Sequence, residues 1–369
     1  MTLACSRCGR REAAENNLAW RCPCGAPWHL QHQASPPEPI PGQRGLWRWR
    51  RSLPSIPAAD VVSLGEGDTP LVPTCLAGRN LFMKCDFCNP TGSWKDRGWT
   101  VAVSHLKAMG ISHVYEDSSG NAGASLAAYG GRAGMKVSVF VPADSPSPKL
   151  RQIAAYGGEV IPISGGRDAV AAACMEAARD GFYAGHAWNP WFHWGPCSLA
   201  WEIVEDLDGR SPDVVVVPVG QGGILLGLVH GFRALHDAGR ISTLPRLVAA
   251  QVAACAPVVS GWLAQAAQIP AVQVGPTLAD AIRTPRPVRY GEIQEALRVT
   301  NGTAIAVSED ELTAAHKMLA RSGLLVEPTS AVAAAAALRY GRRGEGVDET
   351  VVVILTGLGL KALANPPTV

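Results

Sequence analysis

Short, continuously apolar runs alternate with helical stretches through most of this 369-residue chain. The clearest run is Asp213–Val219, with four consecutive valines. A strand that is apolar on both sides must be covered on both faces, the situation of a strand in a parallel sheet. The same signal predicts strands at Val114–Glu116, Lys136–Val141, Glu159–Ile163, Phe182–Ala184, Leu247–Ala253 and Thr350–Leu355. Between them, helical patterns run over Thr100–Met109, Ala122–Ala133, Pro148–Tyr156, Asp168–Arg179 and Ile224–Leu235. Another helix opens at Ser308, with Glu311 completing a capping box. Ala331–Ala337 suits a closely packed helix. Alternation of this kind builds an α/β fold of doubly wound open sheets, whose ligands bind beyond the carboxyl ends of the strands.

The balance of residues removes several classes. Apolar residues are 47%, charged residues 17% and the net charge is +2, which excludes intrinsic disorder and a nucleic-acid binder working by bulk charge. Leu247–Ala279 carries no charged residue, but Pro257, Pro270 and several glutamines break it. It reads as a buried strand followed by a helix, not as a membrane span. Met1–Arg11 has no apolar core of a signal peptide. With ten cysteines spread well below the density of a secreted scaffold, a reducing cytoplasm is the expected compartment.

The length supports about two domains. Residues 1–34 form a separate small unit: Cys5 and Cys8, then Cys22 and Cys24, have knuckle spacing suited to tetrahedral zinc, with His29 and His32 as substitute ligands. Residues 35–57 are Pro-rich, and a linker is expected over 35–60. Its Trp47-Arg48-Trp49-Arg50-Arg51 cluster could stack on bases, but a segment docking its Trp side chains on the body is the favoured reading. The body divides into a large domain, 61–97 with 191–369, and a small inserted α/β domain, 98–190.

Four loops could carry chemistry. Asn89-Pro90-Thr91-Gly92-Ser93-Trp94-Lys95 turns into a helix and leaves Lys95 in its first turn, where the helix dipole disfavours the ammonium form. A neutral amine is what a Schiff base requires, although an exposed Lys with Asp96 as dipole partner fits the same residues. Asp117-Ser118-Ser119-Gly120-Asn121 joins a strand to a helix and offers hydroxyls and amides to an anion, or ordinary capping. Gly220-Gln221-Gly222-Gly223-Ile224 lies between the valine strand and a helix. A dinucleotide fingerprint fails at Leu225, and no Gly-Lys dipeptide exists for a nucleotide loop, so a single phosphate fits better. Thr356 closes the last strand with a hydroxyl.

Together these pieces resemble the fold type II enzymes that use pyridoxal phosphate, the tryptophan synthase β family, and among them the threonine synthases. The matching segments run in family order: Gly65–Leu71, Asn89–Gly98, Ser118–Ser125, Lys149–Val160, Gly220–Gly223, Glu327–Ser330 and Leu355–Lys361. The resemblance implies pyridoxal phosphate held through a Schiff base to Lys95, which is also the catalytic base and acid. It implies Asn121 at the ring 3-oxygen and Gly220, Gln221, Gly222, Gly223 and Ile224 around the phosphate. It implies Ser118, Ser119, Gly120 and Asn121 on the substrate carboxylate. Thr356 would face the pyridine nitrogen; a neutral hydroxyl there makes a weaker electron sink than a carboxylate and favours elimination or replacement on an amino-acid side chain. The expected activity is a threonine synthase-like lyase, O-phosphohomoserine and water giving threonine and phosphate, in a homo-oligomer, a dimer.

Some residues depart from the family pattern. Asn189–Ser198 is aromatic where many relatives carry a basic residue, Gly195-Pro196-Cys197-Ser198 replaces a Gly-x-Lys-Thr-like element, and Leu358 stands where His is frequent. The alternatives are an ammonia-lyase or dehydratase acting on serine, threonine or diaminopropionate, a β-replacement synthase of the same fold, or a non-catalytic binding protein. His193 reads as a packed side chain. Cys85 and Cys88 form a further C-x-x-C that reads as local substitution, not a redox or metal site.

Overall fold

The computed structural model describes residues 1–14, 17–32, 36–143, 148–340 and 349–362. Residue 35, where the expected linker starts, and 363–369, where the expected large domain ends, lie outside them. In chain order the elements are β1 (Thr2–Cys5), β2 (Arg11–Ala13), β3 (Trp28–Gln31), β4 (Leu71–Leu76), β5 (Arg79–Cys85), α1 (Lys95–Ala108), β6 (His113–Glu116), α2 (Asn121–Arg132), β7 (Lys136–Pro142), α3 (Pro148–Ala155), β8 (Glu159–Ile163), α4 (Arg167–Ala177) and β9 (Phe182–Tyr183). There follow α5 (Cys197–Asp206), β10 (Val214–Pro218), α6 (Gly223–Asp237), β11 (Arg246–Val252), α7 (Pro257–Leu263), α8 (Tyr290–Val299), β12 (Thr303–Val307), α9 (Glu309–Arg321), α10 (Pro328–Tyr340) and β13 (Val351–Leu355).

Two compact units emerge. One comprises Met1–Gly67 and Asn89–Gly195, the other Asp68–Cys88 and Pro196–Val369. Residues 89–97 and 191–195 therefore travel with the segment 98–190.

The first unit holds two sheets. β2-β1-β3 is a small antiparallel sheet at the cysteine pairs, and β8-β7-β6-β9 is parallel throughout. The chain winds from β6 through β7 to β8 in one direction, then returns to place β9 on the other side of β6. The gap between β6 and β9 is thus the switch point of this sheet, the place where open α/β sheets take ligands. The Pro-rich segment is no free spacer. Trp47 and Trp49 are buried, and Trp47 Nε1 donates to Thr100 Oγ1 at 2.8 Å. Arg48 lies over the Trp49 ring. Those rings present no open face to a base.

The second unit is a six-stranded sheet, β12-β11-β10-β13-β5-β4, parallel except for the edge strand β4. Its inner strands β10 and β13 are fully buried, as the valine runs require. α10 packs its alanines against the sheet. Small side chains let that helix approach closely. Here the winding runs β10, β11, β12 and then returns to β13 on the other side of β10, so the second switch point lies between β10 and β13. The uncharged stretch 247–279 supplies β11 and the short α7, and among the described residues no helix is long and apolar enough to cross a membrane.

Candidate active site

In the first unit, Lys95 is the first residue of α1, and no side chain caps that helix start. Its amine lies 4.5 Å from the Trp94 ring centre and 5.6 Å from that of Phe192. Burial of the amine lowers its pKa to about 7, with the Glu116 carboxyl pulling the other way. An exposed-lysine reading is thereby set aside. The helix start is fixed by the next residue. Asp96 is buried and accepts from Thr91 N at 2.7 Å, Thr91 Oγ1 at 2.6 Å and Ser125 Oγ. The turn Asn89–Trp94 is thus folded back onto α1 and tied to α2. Ser93 Oγ is buried with no hydrogen-bond partner among the described residues. An orphaned hydroxyl two residues before Lys95 fits a site that receives a polar group.

The aromatic segment 189–194 forms the wall behind that amine. Phe192 is fully buried and packs edge-on to Trp99 at 5.1 Å and Trp94 at 5.7 Å. It fits because residue 98 is glycine: a Cβ there would stand 2.4 Å from the Phe192 ring. Trp191 stacks on His105 at 3.6 Å. His193 is buried, edge-on to Phe192. The segment's sequence oddity thus has a packing cause, and His193 is a packed residue.

The loop after β6 carries Ser118, Ser119 and Gly120, and Asn121 opens α2; all four are half-buried. Among the described residues no side chain caps α2, which sets the plain capping reading aside.

In the second unit the register decides the neighbours. Val216 pairs with Val353, so three residues on, Val219 and Thr356 leave the sheet together at the switch point. Gly220–Gly222 follow, and α6 begins at Gly223 with no side-chain cap and no acid in its first turn. Gly222 holds φ at 83°, a conformation that glycine adopts without penalty. A Cβ on Gly220 would meet Ile282 and Thr284 at 3.2 Å. Gln221 is pinned by Val288 N, which donates to its Oε1 at 2.9 Å. This is an uncapped fifteen-residue helix opening on a glycine cradle, a fit for a single phosphate. Thr356 is buried, 3.1 Å from Ser330 Oγ, which also accepts from the Thr356 and Gly357 amides. Its hydroxyl is held at a fixed place at the strand end.

The four sequence-selected cysteines come together. The Sγ atoms of Cys5, Cys8, Cys22 and Cys24 all lie within 4.8 Å of one another; His29 and His32 are not in the group. Tetrahedral zinc with Zn–S of about 2.3 Å spaces its sulfurs by about 3.8 Å. The observed Cys5–Cys24 and Cys8–Cys22 separations of 3.4 and 3.6 Å suit it. Cys85 is inert by contrast: burial pushes its thiol up to about 12.

Two features escaped the sequence reading. Lys84, fully buried in β5, donates to Asp206 at 2.7 Å, to Glu202 at 2.9 Å and to Thr69 O at 2.6 Å. It anchors the start of β4 to α5. The other is Glu116, which ends β6 fully buried and lies 3.0 Å from His186 Nδ1. An acid closing an apolar strand was the signal for it.

Comparison with known proteins agrees with these geometries. The family model described as "Pyridoxal-phosphate dependent enzyme" matches residues 62–357. The chain is 33% identical to the threonine synthase of Methanocaldococcus jannaschii, over 98% of this chain and 93% of that one. It is 35% identical to the threonine synthase of Mycobacterium tuberculosis, over 90% and 93%. Among solved structures, Dictyostelium discoideum serine racemase superposes with a TM-score of 0.67 at 26% identity, over 78% of this chain and 91% of that one. A threonine deaminase from T.th. does so at 0.68 and 24% identity, over 81% and 94%. A family model over most of the chain and relatives of one kind along nearly its whole length lead to one assignment: the chain belongs to the pyridoxal-phosphate dependent enzymes of fold type II, among the threonine synthase-like members.

Proposed function

We propose that the chain works as a threonine synthase, turning O-phosphohomoserine and water into threonine and phosphate, with Lys95 as its Schiff-base lysine. The supporting observation is a half-buried Lys95 whose amine pKa is lowered to about 7, in a chain whose relatives along nearly its whole length are threonine synthases. The Gly220, Gln221, Gly222, Gly223 and Ile224 amides at the start of α6 would hold the cofactor phosphate. Thr356 would donate to its ring nitrogen, and Asn121 would meet its 3-oxygen. Ser118, Ser119, Gly120 and Asn121 would take the substrate carboxylate. When bound, the cofactor supplies the electron sink that acidifies the substrate Cα–H and lets a side-chain group depart. Lys95 then takes the Cα proton on its Nζ and returns it, while Trp94 and Phe192 keep water from the amine.

A second reading has its own observation. No Lys or Arg stands between Asn189 and Ser198, and the aromatic residues of that stretch are buried packing. An ammonia-lyase acting on an unphosphorylated amino acid would need no extra phosphate site. The four clustered cysteines would hold a structural zinc, and the protein would work in the cytoplasm as a homodimer, which light scattering on the purified protein checks.

The deciding experiment adds O-phosphohomoserine, L-serine, L-threonine, O-phosphoserine and diaminopropionate in turn to the holoenzyme. Threonine and phosphate from the first support the synthase; keto acid and ammonia from an unphosphorylated substrate support the lyase. Lys95→Ala is expected to lose both the visible cofactor band and turnover, and turnover retained in that variant refutes the mechanism.

A further inference from the structure

Two hydroxyls meet in the second unit at the carboxyl end of β13. Ser330, the third residue of α10, is fully buried. Thr356, the residue after β13, is buried beside it, with 3.1 Å between the two oxygens. Backbone links hold the two segments together. Glu327 N donates to Gly357 O at 2.8 Å, Gly359 N donates to Leu325 O at 3.0 Å, and Val326 and Leu358 form a bridge. The approach is close enough to need glycine: a Cβ on Gly359 would stand 2.7 Å from the Leu325 side chain. The separation of the hydroxyls is thus set by the fold of the loop and not by side-chain rotation alone.

Which oxygen donates across that contact follows from a count of protons and lone pairs. A hydroxyl carries one proton and two lone pairs. Ser330 Oγ accepts from the Thr356 amide at 2.9 Å and from the Gly357 amide at 3.0 Å, which fills both. No lone pair is left for the Thr356 proton, so Ser330 is the donor. Two acceptors are within its reach, Thr356 Oγ1 at 3.1 Å and Gly357 O at 3.5 Å. The carbonyl is the longer contact and already accepts from Glu327 N. Ser330 therefore donates to Thr356 Oγ1. The Thr356 proton is then left with no acceptor among the described residues, on a buried side chain at the switch point between β10 and β13. The Glu327 carboxyl, which a Cβ on Gly357 would strike, is not bonded to Thr356.

We propose that Ser330 is a positioning residue that makes Thr356 a hydrogen-bond donor to the cofactor's ring nitrogen. A protonated ring nitrogen would have to donate to Thr356 instead, and the Thr356 proton would then be stranded in a buried place. An unprotonated nitrogen accepts that proton and leaves every group of the trio satisfied. Ser330 thus favours the unprotonated ring, the weaker electron sink, without touching the cofactor. The proposal rests on the reading in which Thr356 faces the ring nitrogen.

The test reads the nitrogen itself, by NMR of holoenzyme rebuilt with pyridoxal phosphate isotope-labelled at the ring nitrogen. Wild type should show an unprotonated nitrogen that accepts a hydrogen bond. Thr356→Val removes the donor and supplies the reference signal for a nitrogen without one. Ser330→Ala lets the Thr356 hydroxyl turn away, so its signal should move at least half of the way to that reference, with cofactor binding weakened about 5-fold. The Ser330→Ala, Thr356→Val double variant should give the Thr356→Val signal, because Ser330 acts only through Thr356. A wild-type signal in Ser330→Ala overturns the proposal, and so does a double variant displaced well beyond Thr356→Val. A protonated nitrogen in wild type overturns it as well. If Ser330→Ala does not fold, Ser330→Cys replaces it on the same signal, since a thiol is a weak donor and a weak acceptor; a wild-type signal there overturns the proposal. A Thr356→Val signal equal to wild type means that Thr356 does not face the ring nitrogen. The underlying reading then fails instead, so the two failures are distinct.

Discussion

An amine at the first position of a helix meets the positive end of the helix dipole, and for Lys95 the Trp94 and Phe192 rings add desolvation. Both effects act against the ammonium. A nucleophilic lysine must be deprotonated, and with a pKa lowered to about 7 by burial, half of the Lys95 amines are ready near neutral pH. We therefore expect apoprotein to recombine with pyridoxal phosphate at a rate that climbs through about pH 7 and is nearly flat by about pH 9. A midpoint near 10, the range of an ordinary lysine, would contradict the burial argument. The positions of Lys95, the glycine loop and Thr356 at helix starts and a strand end were legible in the sequence, because each sits within a few residues of the strand or helix that presents it. Glu116 with His186 was not, because the pair spans 70 residues and depends on β9 returning beside β6. Local pattern does not contain strand order.

Elements whose signals are local appear where the sequence puts them. α9 begins after Ser308 as the capping box demands: Glu311 N donates to Ser308 Oγ at 3.1 Å, and Ser308 N donates to Glu311 Oε2 at 2.8 Å. Ser308→Ala removes the acceptor for one helix-start amide and should cost about 1 kcal/mol in urea unfolding, with little effect on turnover. A loss below about 0.3 kcal/mol would mean that solvent replaces the cap. The inner parallel strands were legible for a different reason: burial on both faces writes itself as valine runs. The hairpin β4–β5 was not. Its two-residue loop is Ala77-Gly78, both at positive φ, where Asn-Gly would have announced the turn. β4 also contains Pro73, which reads against a strand and is tolerated because β4 is the edge of its sheet.

At the scale of the molecule, the N-terminal ribbon is the part least able to hold itself. Its three strands are short, and a sheet of that size has too little core for independent stability. Two things compensate in the first unit. Trp20 packs edge-on to Tyr183 at 4.7 Å and Trp188 at 5.0 Å, and His32 packs on Trp194 at 4.8 Å. The zinc proposed for the four cysteines would be the other support, because a metal that binds only the folded ribbon adds its binding free energy to folding. The Trp188–Trp194 stretch that receives the ribbon also supplies Phe192, the ring beside Lys95. Metal removal should therefore be felt first in the ribbon and then at the lysine. We expect one zinc per chain by elemental analysis, and chelation should red-shift the tryptophan fluorescence as Trp20 and Trp28 meet water. Cofactor should remain bound at low temperature and be lost several degrees earlier on heating. Cys22→Ser should behave like the chelated protein. A metal-free preparation with unchanged fluorescence and unchanged thermal loss of cofactor would show that aromatic packing alone holds the ribbon. The cysteine cluster, two thiols buried and two exposed, would then contribute nothing to the ribbon's stability.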